Sequence, residues 1–163
     1  MSNIIIKNKD LIENIKKIIH KARYNILQSV NKEMLLAYFE IGKNIIEGEQ
    51  DGKARARYGK NIINILSKEL TREFGKGFDV TYLRRMRRFY LIYQKWETVS
   101  PKLSWSHYSE LIKIEESTKR IYFEKYAIQE NLSVRDLKRL INSFHYERLL
   151  LSKDKKALLI KEK

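Results

Sequence analysis

Phe78-Asp79-Val80-Thr81-Tyr82-Leu83-Arg84-Arg85-Met86-Arg87-Arg88-Phe89-Tyr90 is the stretch whose reading decides the fold. Asp79 is a helix N-cap residue, because its carboxylate can accept from the free amides of the first turn. Phe78 before it and Leu83 after it are spaced for a hydrophobic staple. Leu83, Met86, Phe89 or Tyr90, Tyr93 and Trp96 then recur every three to four residues, so one stripe of this helix faces a core. Arg84, Arg88 and Lys95 share the opposite face, with Arg85 and Arg87 on its flanks. A helix with one apolar side and one guanidinium side is built to sit in a core and meet a polyanion.

The preceding segment fixes how this helix is presented. Tyr58 to Phe74 reads as a helix with Ile62, Ile65, Leu66, Leu70 and Phe74 inside. Gly75-Lys76-Gly77 ends it, since glycine takes the positive φ that a helix stop requires. Helix, glycine turn and capped helix are together the outline of a helix-turn-helix, whose second helix enters the major groove. Lys60 and Lys76 would extend the basic patch.

Elsewhere the chain is also helical. One proline (Pro101) and six glycines in 163 residues leave long uninterrupted windows. Asp10 to about Glu47 carries Leu11, Ile15, Ile18, Ile19, Ala22, Ile26, Leu27 and Val30 near a 3.6-residue period. A second apolar phase follows Asn31, comprising Met34, Leu35, Tyr38, Ile41 and Ile45. Either the chain bends at Asn31 or one long helix changes its buried face. Gly48 to Gly52 reads as a polar break. Ser104 or Ser106 caps a short helix ending near Ile114, and another helix spans Ser117 to Glu130. Ser133 caps the last, with Asp136 placed to close a capping box and Leu132 and Leu137 to staple it. Val134, Leu137, Ile141 and Phe144 form its inner stripe, and the lysine-rich tail from Ser152 frays. The expectation is an all-α single domain over residues 1–150, of about six helices, with a basic tail at 151–163.

The charge points to a partner. Net charge is +14, with 34 basic residues against 20 acidic. Residues 1–81 carry +5 and residues 82–163 carry +9, so the excess gathers in the half that holds the arginines. Nucleic acid is the partner such a balance implies, ahead of an anionic membrane or an acidic protein. Arginine forks bind phosphate with two teeth and can read guanine edges. The competing reading is a solvated face partly paired to Glu69 and Glu73. Arg135, Lys138 and Arg139, at the start of the final helix, are a second set, because free amides and side-chain charge coincide there.

Signals for chemistry are poor. Without cysteine there is no thiolate metal site or disulfide. His20, His107 and His145 lack companions at ligand spacing, so neither a metal nor another cofactor is expected. His107 could serve as an acid or base, but no carboxylate partner is spaced for it. Ser104-Trp105-Ser106-His107-Tyr108 could stack on bases, although a tryptophan at a helix start is more often a core anchor. No phosphate-cradling glycine loop, zincin motif or nucleophile elbow occurs. Asp-x-Lys at Asp51, Asp136 and Asp154 follows no strand-like segment. No segment reaches membrane-spanning length and no signal peptide leads the chain, so a cytoplasmic protein is expected.

Several blocks together resemble a known family. They are Asn31…Tyr38…Ile41-Gly42, Tyr58-Gly59…Leu66-Ser67…Leu70, Gly77-Phe78…Leu83…Met86-Arg87…Phe89-Tyr90, Leu103-Ser104-Trp105-Ser106-His107, and Tyr122…Ser133-Val134-Arg135-Asp136-Leu137…Ile141. In this order they look like the N-terminal domain of the YhcG family, over roughly residues 15 to 150. The resemblance implies a helical domain that precedes a C-terminal PD-(D/E)XK nuclease domain and works on DNA, and it carries over no catalytic residues. It also implies that the nuclease half lies outside this chain, a piece of a longer protein or a stand-alone reduced member. Leu132, Phe39 and Tyr58 stand where the family usually has tryptophan, which suggests apolar core roles for them. The expected function is a non-catalytic module targeting duplex DNA for a nuclease domain or a separate nuclease subunit. A protein-interaction module, with the long first helix as a homodimer seam, is the alternative, and RNA binding is a further one.

Overall fold

A computed structural model describes residues 2–51 and 61–151, with side chains over 9–49 and 61–151. Its elements are α1 (Ser2–Asp51), α2 (Ile62–Phe74), α3 (Val80–Tyr93), a 3-10 turn (Trp96–Thr98), α4 (Trp105–Leu111), α5 (Ser117–Gln129), α6 (Val134–Asn142) and α7 (His145–Leu151). No strand occurs among the described residues, and the fold is all-α.

Helix α1 is one continuous helix of 50 residues, about 75 Å long at 1.5 Å per residue. It is not interrupted at Asn31, nor does it break at Gly48. A helical glycine brings the neighbour close here: a Cβ on Gly48 would lie 3.0 Å from Ile62 Cδ1 of α2. The expected start of the second helix at Tyr58, and Lys60, lie outside the described residues, as does the tail from Ser152.

The core forms where the C-terminal half of α1 meets the other helices. Leu35 and Phe39 of α1 join Phe89 and Tyr93 of α3, Tyr108 and Leu111 of α4, Phe123 and Ala127 of α5, Leu137 of α6 and Tyr146 of α7. A smaller cluster holds Ile45, Leu83 and Met86, with Leu66, Leu70 and Phe78 against it. Trp105 packs on both clusters, its ring 4.6 Å from Tyr38 and 5.4 Å from Phe89, which makes it a core anchor. Phe39 is buried and Leu132 packs on the main cluster, so two of the three tryptophan replacements have apolar core roles.

Three details depart from expectation. Helix α2 buries no residue fully, and its inward side chains are Ile62, Ile63, Leu66 and Leu70. Ile65 and Phe74 are exposed instead, the Phe74 ring lying tilted against Phe78 with centroids 5.8 Å apart. Phe144 leaves the α6 stripe, because its backbone turns to φ 54° and divides α6 from α7. Its ring then lies in solvent. The arginine helix stops at Tyr93 rather than near Trp96, so Lys95 lies beyond its regular face.

Candidate nucleic-acid interface

The α3 start follows from its sequence. Asp79 Oδ1 accepts from the amides of Thr81 at 2.8 Å and Tyr82 at 3.0 Å, and Phe78 packs on the cluster that contains Leu83. Leu83, Met86, Phe89 and Tyr93 are buried along one side. The α1–α3 crossing is close because Gly42 lies over the α3 backbone. A Cβ there would come within 2.2 Å of the Met86 carbonyl oxygen. With one side locked this way, the arginines have no choice but to face outward or sideways.

They do not behave alike. Arg84 and Arg88 are exposed. Neither has a hydrogen bond or ion pair among the described residues. Arg87 is half-buried, and its Nε donates to both Glu49 oxygens, at 3.0 and 2.8 Å. Arg85 lies over the Tyr82 ring at 5.6 Å, a cation–π contact that leaves much of its charge available. The anticipated pairing to Glu69 and Glu73 is not what balances this face. Glu69 pairs with Arg72 of its own helix, and Glu49 of α1 takes Arg87.

Arg84, Arg87 and Arg88 converge on a cleft of about 840 Å³, where Arg120 of α5 joins them from the far side. Leu91, Ile92 and Ile63 supply apolar wall. Arg120 is held by the carbonyl of Ile114, to which Nη1 donates at 2.7 Å. Four guanidiniums stand there against two carboxylates, Glu49 and Glu115. Such a cleft favours an anion, and its planar donors suit phosphate oxygens. Arg120 and Glu49 were not singled out from sequence. Glu49 fell in the supposed polar break, and nothing in the spacing of α5 marks Arg120.

Lys95 and Arg85 do not line this cleft, and neither do Arg135, Lys138 and Arg139. That second set lies exposed on α6. Ser133 caps α6 by accepting from the Asp136 amide at 3.2 Å, while its hydroxyl donates to Asp136 Oδ2 at 2.6 Å. Asp136 thus meets the Ser133 hydroxyl and not its amide, which is not the reciprocal capping box expected, and a carboxylate already occupies the first turn, 3.8 Å from Arg139. The helix start is partly neutralised before any phosphate arrives.

His107 is structural. Its Nδ1 accepts from the Ser104 amide at 3.1 Å, closing the cap of α4, and Nε2 donates to the Leu132 carbonyl at 3.0 Å. Burial holds its pKa below the usual histidine value. Burial also raises the Glu124 carboxyl above its usual range, and Tyr93 donates to it at 2.9 Å. Among the described residues no group of three or more His, Cys, Asp or Glu is placed to hold a metal ion. No helix among them is long and apolar enough to cross a membrane.

Comparison with known proteins agrees with the blocks read from the sequence. The family profile described as the DUF1016 N-terminal domain matches residues 14–148. A protein of Escherichia coli (strain K12) named "Putative nuclease YhcG" is 35% identical over 179 aligned residues, covering 90% of this chain and 48% of its own length. The chain therefore spans about half the length of that curated relative. No solved structure matches. Matched from its first long helix to its last short one, the chain belongs to the DUF1016 N-terminal domain family, the YhcG-type helical domain that its motifs resemble.

Proposed function

We propose that this domain binds duplex DNA through the outward face of α3, as the non-catalytic targeting part of a nuclease-associated protein. The observation that carries the reading is the convergence of Arg84, Arg88, Arg87 and Arg120 on one cleft. Two of those guanidiniums, Arg84 and Arg88, have no partner among the described residues. Helix α2, the turn at 75–79 and α3 follow one another as in a helix-turn-helix, with the arginine face outward. The relative's name as a nuclease supports nucleic acid as the ligand. Arg84 and Arg88 are the principal phosphate contacts. Arg85, Arg87 and Lys95 flank them, and Arg135, Lys138 and Arg139 of α6 are supporting contacts. Phosphate contacts of this kind position a duplex without reading its sequence.

Binding to a random-sequence duplex across a salt series, with matched RNA and single-stranded DNA, tests this. Affinity should fall steeply with salt and favour the duplex. Replacing Arg84 and Arg88 together by alanine should flatten the log–log slope by about 1.8, at ~0.9 per lost phosphate contact. An unchanged slope removes α3 from the interface. Tighter binding to RNA replaces the duplex as ligand.

A further inference from the structure

We infer that the N-terminal half of α1 is a homodimer interface, in which two copies of this chain pair antiparallel along one apolar stripe. Every described side chain from Lys9 to Leu27 is exposed, although this half of the helix is rich in isoleucine and leucine. The stripe runs through Leu11, Ile15, Ile19, Ala22, Ile26 and Val30, and its five large residues are between 45% and 63% exposed.

The described body of the domain does not cover this stripe. At 100° per residue, Ile26 and Leu35 are nine residues apart and point to opposite sides of the helix. Leu35 is fully buried in the core while Ile26 stands in solvent. Asn31 marks the body side too, its Nδ2 donating to the carbonyls of Pro101 at 2.7 Å and Leu103 at 2.9 Å. The two apolar phases of α1 therefore belong to two different partners. Most helical stability in proteins comes from tertiary packing of an amphipathic face, which this arm lacks among the described residues. Ile12, Ile18 and Leu27 border the stripe and are also exposed. Eight large aliphatic side chains, each about half exposed, approach in extent the roughly 800 Å² per partner that a stable interface buries. Monomeric proteins seldom leave a contiguous apolar patch of that size in water.

The spacing argues that the partner is a second copy. The gaps between stripe residues are four, four, three, four and four, the same in both directions. A two-fold contact requires that when residue i meets j, j also meets i. In the register centred between His20 and Lys21, Leu11 faces Val30, Ile15 faces Ile26 and Ile19 faces Ala22. Charge selects the direction. Parallel pairing would set Lys16 and Arg23, which flank the stripe, each beside its own copy, and like charges opposite one another destabilise. Antiparallel pairing in this register sets no cation beside its own copy and only Lys9 opposite Lys32, and it brings Asp10 of one helix alongside Asn31 and Lys32 of the other. It also places the two basic bodies at opposite ends.

Sedimentation equilibrium of the chain, from micromolar to hundreds of micromolar, should give twice its 19.6 kDa mass. The Ile15→Glu, Ile26→Glu double variant should give the single-chain mass with the near-ultraviolet signal of Trp96 and Trp105 unchanged, since both tryptophans pack in the body. A monomeric wild type overturns the inference, including the case in which the stripe serves some other protein. A dimer that survives the double variant overturns it as well. The chain has no native cysteine, so direction is read by oxidative cross-linking. Ile15→Cys mixed with Ile26→Cys should cross-link while neither does so alone. Self-cross-linking of each variant alone, with none between them, overturns the antiparallel arrangement. The inference does not depend on DNA binding, and neither result bears on the role of Arg84 and Arg88.

Discussion

His107 shows how a residue with catalytic potential is spent on structure. Its Nδ1 must stay unprotonated to accept the Ser104 amide, and its Nε2 proton is committed to the Leu132 carbonyl. Protonation would set an N–H against the Ser104 amide donor and leave only the Ser104 hydroxyl, 2.8 Å away, to accept from it. Its pKa lies below the unfolded value, so the unfolded chain binds the proton first as pH falls. The stability it contributes is complete above the unfolded value near 6.5 and is lost as pH falls below it toward the folded value. Thermal unfolding of wild type between about pH 7.5 and about pH 5.5 should therefore decline more steeply than that of His107→Gln, which can cap but not titrate. Parallel profiles would mean that the imidazole does not titrate in this contact. The arginines divide by the same logic. Arg87 shares its Nε proton between both oxygens of a half-buried carboxylate of another helix, whereas Arg84 and Arg88 hold nothing among the described residues. Sequence placed all of them on one basic helix, but which had a partner depended on Glu49, far away in the chain.

At the scale of elements, the α1–α3 crossing is the contact on which the arginine face depends. Gly42→Ala would force its Cβ to 2.2 Å from a backbone oxygen, which no side-chain adjustment relieves. Overpacking of this kind should cost about 1–3 kcal/mol, read as a lowered midpoint in denaturant. Gly48→Ala is the control. There the obstacle is the flexible tip of Ile62 at 3.0 Å, and the alanine gains helix propensity of ~1 kcal/mol, so it should be near neutral or stabilising. Equal losses in both would mean that the crossing is not the tight point. This pair also explains what was legible. Helix α3 could be read almost whole, because cap, staple and periodicity are all local. The extent of α1 could not, because a glycine looks the same in a stop and in a close helix crossing. Only the neighbour decides, and the neighbour is distant in sequence. Phe144 failed for a similar reason: its apolar character fitted the α6 period, but a left-handed turn took it out of the stripe. Of the candidate site, the arginine face was legible and its two completing residues, Glu49 and Arg120, were not.

At the scale of the molecule, α1 joins two surfaces of opposite character. Its C-terminal half is clamped under α3, and its N-terminal half carries an apolar stripe turned the other way. The two apolar phases were visible in the sequence. What they meant was not, because periodicity reports which residues share a face but not which partner covers it. If the stripes pair as inferred, each assembly has two basic faces, and a duplex long enough to touch both gains from the second contact being intramolecular. Lengthening a duplex past that reach should tighten binding by wild type by well over tenfold, and much less for Ile15→Glu, Ile26→Glu. Equal gains in both would mean that each face engages DNA independently. The unbroken length of α1 then acquires a metric meaning. Gly42, where α3 crosses, is about 32 Å along the axis from the midpoint between His20 and Lys21. A pair of chains would hold its two crossings roughly 65 Å apart, near two turns of B-form duplex. A straight helix would thus act as a ruler, setting by residue count the interval at which the molecule reads the spacing of whatever it grips.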